Sequence, residues 1–392
     1  MKFLALFFLL AAPLHADLLA TFATTRGNVV VSLHFDKTPQ TVANFMTLAQ
    51  GTRSRIDPAT GAVIRKPLYA GETFYRVLND FSGKLAQTGS GTGSVTGGPG
   101  YTFRDEFDAS LRHGPYILAM QNDESPHTNG SQIYFTGDNG FPDDVGKNTV
   151  FGSITEASHG VVDAIIMAGS NLTTINSVSF QRTSPQAVAF DEHAQQLPEC
   201  AGFAGNLEVD PGEYVKFLAY VPQPEGSFLF FSRSLNLQDW GAVNLLAYQA
   251  TGMQGSVDFF IDDGMAKRAF YHFANVKHPD ALAPEQSVLA DETLSINLAS
   301  GRNMVFSFTS GEVGTFTDSA TSGSAAFTVV SYFPEPYKAI FIMESGALSY
   351  RFDCVLDEKV AGQVIGRCVA YEKSGNSWIS LGAGALDLTQ TQ

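Results

Sequence analysis

A chain of 392 residues is too long for one ordinary core, so two or three domains are expected. Only 16% of its residues are charged, against 31 Phe, 37 Gly and 13 Tyr, which favours strands and tight turns and points to a mainly β protein. A formal net charge of −15, with no basic patch along the chain, repels phosphate backbones and excludes nucleic acid as an expected partner.

The N-terminus carries one cation, Lys2, then an apolar run from Phe3 to Ala12, then Pro13 and the small-residue exit Leu14-His15-Ala16. This reads as a signal peptide, residues 1–16, cleaved after Ala16 to give a periplasmic or extracellular product. The run is too short for a permanent span and no other stretch is long and apolar enough, so no stable membrane insertion is expected. The cleavage region lacks a lipoprotein Cys.

Residues 18–36 hold two apolar runs joined through Thr25-Arg26-Gly27-Asn28, the pattern of a β-hairpin. Thr38 as N-cap, Pro39 at the first helical position, Val42, Phe45, Met46 and Ala49 at helical spacing and Gly51 as a stop predict an amphipathic helix. Asp57-Pro58-Ala59-Thr60-Gly61 marks a surface insertion with its own turn. From Thr73 to Phe151 short β-type runs alternate with Gly, Pro, Asn and Asp, as in a closed antiparallel sheet. A second helix is expected over Val161–Met167 before Gly169, then a closing strand from Ile175 to Phe180. Weak periodicity over 183–200 reads as a linker. Residues 201–283 carry alternating runs bounded by Pro and Gly and suggest a small β-sandwich. Within them Ser234 to Trp240, followed by Arg268 to His272, resembles a β-module of exported bacterial proteins. Residues 284–392 read as an antiparallel meander. The whole C-terminal region is thus expected to be all-β, and no chemistry is legible there.

Three cysteines are too few for a stapled framework. Cys354 and Cys368 flank a strand–turn–strand pattern between Arg351 and Ala370. Two readings stay open: oxidation across that hairpin, leaving Cys200 over, or three unpaired buried thiols acting as small hydrophobes.

Three segments carry the chemistry. The first is Phe74-Tyr75-Arg76-Val77, continuing through Phe81 to Leu85-Ala86-Gln87. The second joins Gly91-Thr92-Gly93 and Gly98-Pro99-Gly100-Tyr101 to Phe103 and Asp105-Glu106-Phe107. The third runs from Leu118-Ala119-Met120-Gln121-Asn122 through Thr128-Asn129-Gly130-Ser131-Gln132-Ile133-Tyr134-Phe135-Thr136 to Val150-Phe151-Gly152. In this order and near this spacing they resemble the cyclophilin family of peptidyl-prolyl cis/trans isomerases over about residues 17–182. The resemblance implies a closed antiparallel β-barrel capped by two helices. It also implies isomerisation of X-Pro bonds in exported or unfolded polypeptides, without metal or cofactor.

By that resemblance Arg76 would donate to the proline nitrogen in the twisted transition state and Gln87 would orient Arg76. Phe81, Leu85 and Tyr134 would line the proline pocket, and Gln132 and the backbone of Asn122 would hold the acyl side. Several positions depart from the family pattern. Ser82-Gly83-Lys84 adds about three residues between Phe81 and Leu85, Leu85 stands for Met, and Asp123-Glu124-Ser125-Pro126 carries one extra residue. Gln121 replaces a small residue, Phe141 stands at the Trp position and Asn148 at the His position. These departures imply reduced activity and put binding of the cyclic peptide cyclosporin in question. The alternative is a weakly active or non-catalytic module that holds Pro-containing peptides.

Other signals are weaker. Gly89-Ser90-Gly91-Thr92-Gly93 has no Gly-Lys-Ser/Thr after it and is not read as a phosphate loop. The eight histidines show no metal-ligand spacing, and His113 and His127 read as surface residues. Asn129 and Asn171 begin glycosylation sequons.

Overall fold

The computed structural model describes residues 18–140, 147–202, 206–210, 214–220, 227–238, 244–249, 256–261, 270–279, 289–321, 323–360 and 363–390. Residues 1–16, expected as a signal peptide, and Phe141, Trp240 and Arg268 lie outside these residues. No helix among them is long and apolar enough to cross a membrane. The chain divides into two compact units. One takes residues up to Ser54, then Arg65–Pro99 and Phe103–Gln195, and the other takes Arg55–Ile64, Gly100–Thr102 and Gln196–Gln392.

The first unit opens with the expected hairpin, β1 (Leu18–Thr24) and β2 (Gly27–Leu33), whose alternate residues Leu18, Ala20, Phe22, Val29, Val31 and Leu33 are buried. This period of two puts every second side chain on the core face. Helix α1 (Pro39–Gln50) starts at Pro39 and ends at Gly51, whose φ of 72° is the left-handed conformation that glycine adopts without a Cβ penalty. Thr38 holds the N-cap position as expected, but its hydroxyl donates to the His34 carbonyl and makes no side-chain capping bond. The orphan N–H groups of Gln40 and Thr41 instead meet the Glu106 carboxylate at 3.1 and 2.7 Å, and the Thr41 hydroxyl donates to it at 2.7 Å. A remote carboxylate thus satisfies the helix start, with the favourable dipole sign. Burial pushes the Glu106 carboxyl above the usual range, and the three bonds oppose that shift.

An eight-stranded antiparallel sheet follows, completed by β5 (Arg76–Asn79), β6 (Lys84–Thr88), β7 (Ile117–Met120), β8 (Ile133–Thr136), β9 (Val150–Ile154) and β10 (Ile175–Arg182). Its order is β10-β1-β2-β9-β7-β8-β6-β5. The sheet curls round, and its ends meet through a bridge between Thr73 and Thr174, flanked by Gly71 N–H to the Ile175 carbonyl and Ile175 N–H to the Glu72 carbonyl, both 2.8 Å. Phe22, Phe45, Phe74, Phe135 and Phe151 fill the core. The second expected helix is α2 (His159–Ala168), which buries Val162, Ile165 and Ile166. The segment expected as a linker contains a short helix, α3 (Pro185–Ala189), whose cap Ser184 accepts from Ala187 N–H at 3.1 Å.

In the second unit, the expected insertion is a hairpin of β3 (Arg55–Ile56) and β4 (Val63–Ile64) that folds with strands far along the chain. The Thr60 carbonyl accepts from the Ser232 hydroxyl at 2.6 Å and from His272 Nδ1 at 2.7 Å. A Cβ at Gly61 would stand 2.0 Å from Ser232 Oγ, so only glycine fits this approach. Beyond it lie two antiparallel sheets. One has the order β11-β17-β14-β15, built from β11 (Glu199–Gly202), β14 (Ser227–Ser234), β15 (Asn244–Gln249) and β17 (Phe270–Lys277). The other is β12 (Asn206–Asp210), β13 (Tyr214–Tyr220) and β16 (Ser256–Ile261).

The expected meander is present and closes on itself. Strands β18 (Glu292–Leu298), β19 (Asn303–Phe308), β20 (Val313–Asp318), β21 (Ser324–Glu335), β22 (Lys338–Ser345), β23 (Leu348–Val360), β24 (Gln363–Ser374) and β25 (Ser377–Gln390) pair in sequence, and β25 returns to β18 with Leu388 opposite Leu294. Inward residues are apolar, among them Leu294, Phe306, Phe316, Phe327, Phe352 and Leu386. The intervening Ser295, Val305, Ser307, Thr315 and Thr317 are half-buried or exposed.

Candidate active site

Strands β5 and β6 form a hairpin in which Arg76 stands opposite Gln87, and Gln87 in turn stands opposite Tyr134 of β8. The register alone therefore brings three predicted residues onto neighbouring positions. Arg76 Nη1 donates to Gln87 Oε1 at 3.0 Å. Gln87 is buried, and its Nε2 donates to the Tyr75 hydroxyl at 2.9 Å and to Gln132 Oε1 at 2.7 Å. The Tyr75 hydroxyl in turn donates to Gln132 Oε1 at 2.5 Å. Gln132 Nε2 donates to the carbonyls of Val95 and Gly97 at 3.0 and 2.9 Å.

This network fixes both amide orientations, because only one assignment gives every donor an acceptor. It also changes what each side chain can do. Gln132, expected to grip the substrate, has both N–H groups committed to the Val95–Gly97 loop and its oxygen committed to Tyr75 and Gln87. It therefore acts on its neighbours. Arg76 accepts a direction from Gln87 through one N–H, and no other described residue takes its remaining donors. Burial raises the Tyr75 hydroxyl well above its usual pKa, so it stays protonated and keeps its donor. Tyr75 is a member of the network that the sequence reading did not single out.

Leu85 and Tyr134 meet as expected, in a buried cluster with Ile117, Ala119 and Val150, backed by Leu78 and Leu111. Phe81 does not join them. It sits at the hairpin tip with its side chain fully exposed, at 107% relative accessibility. The added residues lengthen the turn, and the Asp80 carboxylate organises it by accepting from Ser82 N–H, the Ser82 hydroxyl and Gly83 N–H at 2.8, 2.6 and 3.2 Å. The Ser82 hydroxyl bond leads the causes that hold the Asp80 carboxyl below its usual range.

On the acyl side, Gln121 N–H donates to the Gln132 carbonyl at 2.8 Å, and its side-chain amide covers the Asn122 carbonyl at 2.8 Å. The Asn122 side chain is tied to the Lys147 carbonyl and Glu124 N–H. Asn148 is buried, with its backbone carbonyl accepting from His113 Nε2 at 2.9 Å. Because a carbonyl faces Nε2, that nitrogen carries the proton, which leaves Nδ1 to accept from the Tyr134 hydroxyl at 3.3 Å. His113 is thus a support of the pocket wall and not the surface residue expected. His127, unlike the half-buried His113, is buried, its Nδ1 accepting from Asp105 N–H at 3.1 Å.

The remaining motif residues are structural. Asn129, the first residue of one sequon, is fully buried and donates to the Arg104 carbonyl and Asp105 Oδ1. Gly89 has a φ of 88°, and a Cβ there would meet the Ser131 carbonyl at 2.5 Å, so this glycine serves close packing.

A family model for cyclophilin type peptidyl-prolyl cis-trans isomerase/CLD matches residues 19–182. Peptidyl-prolyl cis-trans isomerase B of Streptomyces anulatus is 43% identical over 162 residues, which cover 40% of this chain and 89% of that protein. The chain belongs to the cyclophilin family. Peptidyl-prolyl cis-trans isomerase A of Mycobacterium tuberculosis is 41% identical over 155 residues, 37% of this chain and 79% of that protein. A crystal structure of a cyclophilin type isomerase of Cryptosporidium parvum, in the presence of the dipeptide Ala-Pro, covers 42% of this chain and 99% of that one, at 21% identity and a TM-score of 0.35. The cyclophilin domain coincides with the curled sheet and its helices, and Arg76, Gln87, Gln132 and Tyr134 all lie within it.

Proposed function

We propose that the cyclophilin domain isomerises X-Pro bonds in flexible segments of exported polypeptides, with Arg76 as the group that favours the twisted amide. The planar bond resists rotation by about 18–20 kcal/mol, and uncatalysed exchange takes tens to hundreds of seconds. As the amide twists, conjugation is lost and the proline nitrogen regains a lone pair. A donor aimed at that nitrogen binds the twisted form better than either planar form and so lowers the barrier. The supporting observation is the Arg76–Gln87 bond at 3.0 Å, with Gln87 itself held by Tyr75 and Gln132. Loss of one preorganised donor costs about 10²–10³-fold in rate, so gripping the proline against Leu85 and Tyr134 must supply the rest.

Export is proposed from residues 1–16, and the clients would be Pro-containing unfolded segments beyond the cytoplasm. The test of mechanism is exchange spectroscopy on an X-Pro peptide with the chain from Asp17 onward, beside titration for affinity. Arg76→Ala should lower turnover by about 10²-fold or more with a much smaller loss of affinity. Arg76→Lys should rescue only in part, since Lys lacks the planar fork that Gln87 orients. A parallel fall of affinity and turnover would assign Arg76 to binding and favour a peptide-holding module. Cell fractionation with N-terminal sequencing tests export, and an unprocessed cytoplasmic chain would overturn it.

A further inference from the structure

Two cysteines of the barrel share one rung. Cys354 in β23 stands directly opposite Cys368 in β24. Opposed residues of an antiparallel ladder have Cα atoms about 4.5–5.5 Å apart, inside the about 4.4–6.8 Å that a disulfide spans. Both side chains are buried among the inward set, beside Phe352, Leu356 and Ala370, so both point to the same face. Neither is bonded to another cysteine in this structure, and each thiol lies close enough to shift the other's titration.

We propose that Cys354 and Cys368 are an oxidation site, closed to an intrachain disulfide during maturation of the exported chain. The inference rests on the export reading above, because an oxidising compartment is needed for such a bond to persist. The co-reactant is an external disulfide, carried by a protein or a small thiol. One thiolate of the pair attacks a sulfur of that disulfide and releases one thiol of the carrier. The second Cys then attacks the mixed disulfide and releases the other thiol. Two thiol hydrogens leave the chain, and the carrier is reduced from a disulfide to two thiols.

Access sets the order of events. Within the closed barrel the two residues are 4% and 3% exposed, so exchange must precede closure. The β23–β24 hairpin is local and can form early, whereas closure needs Leu294 to find Leu388. Cys200, buried on β11, stands opposite Val276 and would remain a thiol.

The experiment refolds the chain from Asp17 onward in a glutathione redox buffer, then alkylates it under denaturing conditions and measures intact mass. One alkylated thiol, a mass lower by two hydrogens, and a peptide linking Cys354 to Cys368 are expected. Reduction should lower the unfolding midpoint by about 5–10 °C in this chain and not in the Cys354→Ser, Cys368→Ser double variant. Three alkylated thiols after refolding, or a bond to Cys200, would overturn the site. The refolding result does not depend on location. A secreted form purified under alkylation then tests the bond in the cell, separately from the fractionation that tests export.

Discussion

Arg76 opens β5 of the curled sheet and Arg302 lies in the turn that leads into β19 of the barrel, and their surroundings differ in kind. Arg302 grips the Asp318 carboxylate from Nε at 3.0 Å and from Nη2, reaches the Tyr350 hydroxyl at 3.2 Å and lies 3.5 Å from Glu372. The bond to Asp318 leads the causes that push the Arg302 pKa up. Arg76 meets a neutral amide through a single N–H, and among the described residues its other donors stay unspent. A carboxylate partner consumes an arginine for structure. An amide partner aims it while leaving it available to a substrate, which is the arrangement transition-state stabilisation requires.

The sharpest way to break this comparison is to remove each arginine in turn. Asp318 has no exposed side-chain surface, so Arg302→Ala leaves a buried carboxylate without its cation and should cost about 3–5 kcal/mol of barrel stability. Turnover on a short X-Pro peptide should stay unchanged. Arg76→Ala should do the reverse, with an unfolding curve close to that of the parent chain. Denaturant titration and exchange spectroscopy on the same samples measure both, and a large loss of turnover in Arg302→Ala would remove the division of labour.

Acid should separate the units by a second route. His278 is buried against Phe228 and Tyr337, at ring distances of 5.1 and 6.4 Å, and burial lowers its pKa to about 3. Below pH 6.5 the unfolded chain takes up a proton that the folded chain refuses. Stability is therefore complete above about pH 6.5 and falls by about 1.4 kcal/mol per pH unit as pH drops towards 3. His278→Phe should remove that slope from the unfolding of the second unit. A slope unchanged in the variant would assign the acid sensitivity to other groups.

Local signals carried much of the fold and less of the support around the site. The β1–β2 hairpin and α1 were legible because turn residues and apolar spacing lie within a few positions of each other. The Arg76, Gln87 and Tyr134 set was legible through family spacing. His113 was missed because its partners, Tyr134 of β8 and the Asn148 carbonyl ahead of β9, lie well along the chain and nothing local marks it. Glu106 caps α1 from beyond four strands, and Thr60 finds Ser232 and His272 far along the chain, so neither contact leaves a local pattern. Barrel closure was likewise invisible, since a meander and a closed meander share the same alternation until the first and last strands meet.

Tyr75 tests whether the network itself matters. Tyr75→Phe keeps the ring but removes the hydroxyl that accepts from Gln87 and donates to Gln132. Each of these two bonds is worth about 0.5–1.5 kcal/mol; with about one bond's worth carried into the transition state, turnover should fall by roughly 2–10-fold while peptide affinity changes less. A fall in affinity with turnover per bound peptide intact would make Tyr75 a packing residue alone.

The smallest effect is expected at Phe81, which family spacing places in the proline pocket and the structure places on the hairpin tip. Its side chain buries no surface, and Asp80, through its bonds to Ser82 and Gly83, holds the turn without help from the ring. Phe81→Ala should therefore change stability by less than about 0.5 kcal/mol and turnover of a short peptide by less than about twofold. Leu85→Ala is the contrast: Leu85 is 1% exposed against Tyr134, and its truncation should cost about 2–5 kcal/mol of stability and loosen the pocket that grips the ring. Both variants go through the same exchange experiment. If Phe81→Ala slowed turnover as much as Leu85→Ala, the lengthened tip would have to fold back over a bound proline, and the pocket would be completed only when substrate arrives.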